Sequence, residues 1–120
     1  MAATKIDVTK PAPYCMTITF EIDPGDEAEF NEVYDKDHLP NILRLDGVEQ
    51  IIRYRDAKPN DKGHLVYTAV YFFTKADLHE TPEWKEISDL GRWAPDIRPK
   101  IKARARRSGP VVAAFRKSTR

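Results

Sequence analysis

From Tyr14 the chain alternates, with Tyr14, Met16, Ile18, Phe20 and Ile22 apolar or aromatic and Cys15, Thr17, Thr19 and Glu21 between them. A period of two puts the two sets on opposite faces of a strand, which Pro24-Gly25 closes. The spacing then changes to three and four at Phe30, Val33, Tyr34 and the Asp37/His38 pair, which predicts a helix over about 26–37 with Asp26 as N-cap and Glu29 three residues on. Pro40 interrupts that helix by removing a backbone donor, and Ile42, Leu43 and Leu45 make a second short helical piece that Asp46-Gly47 stops. A second strand follows over 48–55, with Val48, Gln50, Ile52 and Tyr54 on one face and Glu49, Ile51, Arg53 and Arg55 on the other. After a loop at 56–63, the run 64–73 (HLVYTAVYFF) is apolar enough for a central strand covered on both faces. Thr81-Pro82 opens a helix through Trp84, Ile87 and Leu90 that Gly91 ends. Over 96–107, Arg98, Lys100, Lys102, Arg104 and Arg106 alternate with Pro99, Ile101, Ala103 and Ala105, predicting a strand with a basic outer face that has Pro99 at its start or on an edge.

The order β-α-β-β-α-β describes an α+β domain with the ferredoxin-like split β-α-β topology, its helices on one side of an antiparallel sheet. One helical layer covers one sheet face, so two copies packed sheet against sheet would form a homodimer with a dimeric α/β barrel. Residues 1–13, broken by Pro11 and Pro13, read as a flexible N-terminal tail, 14–107 as the domain and 108–120 as a C-terminal extension.

Composition narrows the class. A chain of 120 residues, 32% charged and 41% hydrophobic with net charge +1, is a single globular domain rather than a disordered segment. A lone Cys15 makes no internal disulfide, the N-terminal residues lack an apolar leader segment, and no run is long enough to span a membrane, so a cytoplasmic protein is expected. Charge is unevenly placed: residues 1–60 carry 7 basic and 12 acidic side chains, net −5, and residues 61–120 carry 13 and 7, net +6. That asymmetry can steer an anionic partner to the C-terminal half, attract a second copy, or serve only solvation. The run from Arg98 to Arg107 holds six positive charges and no negative one. It suits a nucleic-acid backbone or, more simply, protection of an exposed edge strand, and no nucleic-acid module accompanies it.

His38 follows Tyr34 by four residues, so the two share a helix face. An imidazole with an ordinary pKa of about 6.5 exchanges protons near neutrality, and a neighbouring phenol can polarise a carbonyl or enol oxygen. A histidine at a helix end can instead cap the last carbonyls, or bind metal. Tyr54, Tyr67, Tyr71, Trp84 and Trp93 can line an aromatic pocket or belong to a core or interface, and Arg53 or Arg98 can draw in a carboxylate. His64 and His79 read as surface or capping residues and Cys15 as an inert thiol. With no HExxH, CxxC, EF-hand, GxGxxG or P-loop motif, and nothing beside the available histidine to select haem iron, no metal or cofactor is expected.

Tyr34-Asp-Lys-Asp-His38-Leu-Pro40, the Leu45-Asp-Gly-Val48 entry to the second strand, Arg53-Tyr-Arg55, the tyrosine-rich strand at 67–73, Thr81-Pro-Glu-Trp84 and Trp93 through Arg98 together resemble the EthD-like branch of the dimeric α/β barrel superfamily over about 14–106. The resemblance implies a cofactor-free homodimer in which His38, with Tyr34 or Tyr67, does acid/base work on a hydrophobic aromatic, lactone or polyketide-like molecule. Tyr54, Tyr71, Trp84, Trp93 and Arg53 would line the substrate site. Cyclisation, isomerisation and decarboxylation all occur among such proteins, as does a non-catalytic accessory role beside an oxygenase, so the fold alone does not choose.

Overall fold

The protein is described by a computed structural model covering residues 6–8 in their backbone and residues 12–117 in full. A short strand β1 (Ile6–Val8) pairs antiparallel with β6 (Phe115–Lys117), and the main sheet consists of β2 (Tyr14–Ile22), β3 (Val48–Arg55), β4 (Leu65–Phe73) and β5 (Ala103–Pro110). The main sheet is antiparallel throughout, in the order β3-β4-β2-β5. Helices α1 (Glu27–Val33), α2 (Leu39–Leu43) and α3 (Pro82–Ser88) pack on one side of it. Of the expected tail and C-terminal end, residues 1–5, 9–11 and 118–120 lie outside the described residues. No helix of the described residues is long and apolar enough to cross a membrane.

The core forms where the strands' alternation meets the helices. Met16, Ile18, Phe20 and Ile22 of β2, with Leu65, Tyr67, Ala69, Tyr71 and Phe73 of β4, are buried against Phe30, Val33, Tyr34, Leu39, Ile42, Trp84, Trp93 and Ile97. On the other sheet face the Oγ1 atoms of Thr19 and Thr68 lie 3.0 Å apart, Val66, Val70 and Phe72 are half-buried, and Ile52 and Tyr54 are exposed. β4 is therefore covered on one face, not two.

Four other features differ from those that the sequence predicts. The sheet is open, with β3 and β5 as its edges, so the expected α/β barrel gives way to a four-stranded sheet under three short helices. β3 and β5 lie at opposite ends of the strand order and do not pair with each other, so the sheet does not close within the chain. Second, the first helix does not stop before Pro40: a π-helical turn at Tyr34–His38 carries α1 into α2, and Leu39 N–H donates to the Tyr34 carbonyl. Third, a β-bulge between Val48 and Gln50 turns Val48 towards the helices, opposite Phe73, leaving Gln50, Ile52 and Tyr54 on the outer face. Fourth, β5 begins at Ala103; a π turn at Trp93–Ile97 and a 3₁₀ turn at Arg98–Lys100, each containing a proline, occupy the start of the predicted strand.

Candidate functional site

The two π turns face each other and bring the site together. The first buries both Tyr34 and His38; the second buries Trp93 and Ile97. Asp37, next to His38, clamps them, because its Oδ2 accepts the Arg92 backbone N–H at 2.6 Å. Gly91 has φ +69°, and a Cβ there would overlap the Asp37 carboxylate, so glycine meets both the turn and the close approach. Fixed in this way, Trp93 stacks on the His38 ring at 4.6 Å between centroids and 21° between planes, and lies 5.0 Å from the Tyr34 ring.

His38 is 5% exposed, and its Nδ1 is buried with no hydrogen-bond partner. Burial and then the Arg98 guanidinium push its pKa down to about 4, with Asp37 opposing. The ring is therefore neutral at pH 7, and the ordinary value assumed from residue type is corrected. Beside it, Tyr34 Oη and Tyr71 Oη lie 2.7 Å apart. Burial raises both phenols, Tyr71 to about 12 and Tyr34 well above the usual value, so both stay protonated. One hydroxyl donates to the other, which leaves the second proton of the pair for a third group. Behind Tyr34 the Arg53 guanidinium sits 4.6 Å from the ring centre, held by Asp35 and by Asn31 Oδ1 at 2.8 Å.

These groups open on a cavity of about 380 Å³, within the range of small-molecule sites. Its walls are Met16, Ile18, Phe20, Trp84, Trp93 and Ile101, its polar groups are His38, Tyr34, Tyr71 and Ser88, and Arg98, Arg104 and Arg106 stand along it. A more open depression of about 510 Å³ continues past Trp84, Ser88, Arg98 and Arg106 towards His79 and Glu80. The arrangement is a cavity of small-molecule size with a neutral imidazole, a hydroxyl donor and an aromatic wall.

Of the residues read from the sequence, His38, Tyr34, Tyr71, Trp84 and Trp93 meet in this cavity. Tyr67 does not: its hydroxyl donates to Glu27 Oε2 at 2.5 Å and accepts from Asn31 Nδ2 at 3.1 Å, and its hydrogen bond and then Arg55 hold the Glu27 carboxyl low. Arg53 supports Tyr34 from behind, and Tyr54 is on the outer sheet face. Arg104 and Arg106 also line the cavity, and the sequence does not single them out. Their alternation was visible, but a period of two cannot say which face turns inward, and the basic face expected to look outward lines the cavity. Elsewhere His64 Nδ1 meets Glu21 Oε1 at 3.0 Å. Asp77, His79 and Glu80 bring potential ligand atoms within 4.8 Å of one another, with His79 stacked on Phe73.

No family model and no curated protein matches this sequence. Among solved structures, a provisional antibiotic biosynthesis monooxygenase from Bacillus cereus superposes with a TM-score of 0.52 at 16% identity, covering 84% of this chain and 94% of that one. An ethyl tert-butyl ether d (EthD) family protein from Bacillus halodurans C-125 gives 0.52 at 20%, covering 80% and 96%. A protein from Shewanella oneidensis gives 0.52 at 9%, covering 92% and 98%. At these identities the likeness shows a shared ferredoxin-like fold alone and carries no chemistry.

Proposed function

We propose that this chain is a small cofactor-independent enzyme that moves a proton on a hydrophobic aromatic or polyketide-like molecule, in an isomerisation, cyclisation or decarboxylation. The observation that carries the reading is one cavity lined by a neutral imidazole whose Nδ1 has no hydrogen-bond partner and by a tyrosine hydroxyl pair, against an aromatic wall. In the proposed step, His38 takes a proton from carbon next to a carbonyl, and the Tyr34–Tyr71 pair donates a hydrogen bond to the oxygen as it becomes an enolate. The imidazolium then returns the proton at a second position, and the Trp93 face stabilises the cation between the two transfers.

A second reading, a binding or accessory protein without turnover, draws support from the same histidine, because a pKa of about 4 makes a weak base. Exchange of the α-hydrogens of 2-acetonaphthone in deuterated buffer, followed by proton NMR, separates the two. The enzyme reading expects protein-dependent exchange that His38→Ala lowers about 100-fold or more, with the fold unchanged by circular dichroism. The rate should stay level from pH 8 to about 5 and fall towards pH 4, where His38 becomes protonated. Binding without exchange favours the accessory reading.

A further inference from the structure

The register of β5 on β2 sets Arg104 opposite Phe20 and Arg106 opposite Ile18, whose side chains are buried under the helices. Both arginines therefore rise on the cavity side of the sheet, while Ala105 and Arg107 belong to the outer side. Arg98 reaches the same cavity from the 3₁₀ turn, so three guanidiniums stand along it, and no carboxylate belongs to its lining. The three are not equivalent. Arg98 is neutralised by Asp89 at 2.9 Å, whereas neither Arg104 nor Arg106 makes an ion pair with another described residue. Two cations two residues apart on one strand face are about 7 Å apart and repel unless an anion lies between them. The basic run is also not a free ribbon for a nucleic-acid backbone, because Lys100 is held by Glu29 and Arg98 by Asp89.

We infer that Arg104 and Arg106 select an organic anion for this cavity, binding the carboxylate of an aromatic acid at the edge strand while its ring lies against Trp84 and Trp93. The inference rests on the proposed aromatic pocket and names its substrate class. Guanidinium suits the task because it presents paired donors to a carboxylate and remains charged throughout the working pH range.

Isothermal titration with 2-naphthoate and its uncharged isostere 2-naphthamide tests it. At low salt 2-naphthoate should bind about tenfold tighter or better than the amide, and only the acid should weaken as salt is raised. Arg104→Gln with Arg106→Gln should bring the acid's affinity down to that of the amide, and Arg104→Lys with Arg106→Lys should keep most of the preference. If acid and amide bind the native chain equally, or the preference survives in the glutamine variant, the anion site is wrong and the aromatic pocket stands. If neither compound binds, the pocket reading falls and this inference with it. Where the double variant does not fold, the single variants Arg104→Gln and Arg106→Gln decide the matter, each expected to narrow the acid's preference severalfold, and an unchanged preference in both overturns the assignment.

Discussion

Asp37 and Gly91 hold the chemistry in place without touching it. The carboxylate reaches from the turn that carries His38 to the backbone of the turn that carries Trp93, and Gly91 supplies both the left-handed backbone and the space it needs. Gly91→Ala would strain the backbone at φ +69° and displace Asp37 from the Arg92 N–H. Those two costs together predict a loss of about 2–3 kcal/mol in urea unfolding, with a weaker near-ultraviolet dichroism signal from Trp93. A variant as stable as the parent would show that the clamp is not needed. The sequence makes this glycine legible as a helix stop, since α3 ends just before it, but Asp37 as its counterpart is 54 residues away and has no local signature. His38 and Tyr34 are legible as neighbours from their spacing on one helix face and as candidate site residues from the resemblance. Tyr71 was legible only as an aromatic on a strand, and its hydroxyl contact with Tyr34 depends on how the first helix crosses the sheet.

Among the elements, the strands follow the alternation and the helices depart from it at their ends. β2 occupies the nine residues that the pattern marks, and β4 all but the first of its run, because side-chain alternation on a half-buried sheet is a strong local constraint. β3 departs by one residue at a bulge, and β5 starts late because prolines favour turns before it. The first helix shows the limit of reading caps from spacing. Asp26 has the right offset to Glu29 but makes no side-chain cap bond, whereas the Asp23 carboxylate accepts the Gly25 N–H at 2.8 Å and opens a 3₁₀ turn (Pro24–Asp26) ahead of α1. Asp23→Ala should therefore cost about 1 kcal/mol in chemical denaturation, and Asp26→Ala no more than about half of that. Equal losses would return the cap to Asp26. The π turn was not legible, since five residues in place of four leave no mark on composition; it accommodates Pro40 by taking up the register before it.

At the scale of the whole molecule, the open sheet leaves one layer of helices to bury the titratable groups, and the two buried histidines both pay for it in basicity. Burial lowers His79 as well as His38, with Arg106 adding to the first and Arg98 to the second. The carboxyls of Glu21, Glu27 and Asp89 are held low by hydrogen bonds from His64, Tyr67 and Arg98 respectively, so their contribution is present above the usual carboxylate range and is lost as pH falls through their lowered values. The histidines act at higher pH. Below about 6.5 the unfolded chain takes up a proton that folded His38 refuses until about 4, so the unfolded state binds more protons across that window and stability falls as pH is lowered through it. For His38 alone the fall from pH 7 to pH 5 amounts to about 2 kcal/mol. Urea unfolding at both pH values should show at least that difference for the native chain and a smaller one for His38→Gln, with the remainder carried by His79. Equal pH dependence in the two would mean that His38 titrates in the folded protein as it does in water. The level rate profile proposed for proton transfer would then have to bend near pH 6.5 instead of below pH 5, so one stability measurement bears on both the burial of the histidine and its use as a base.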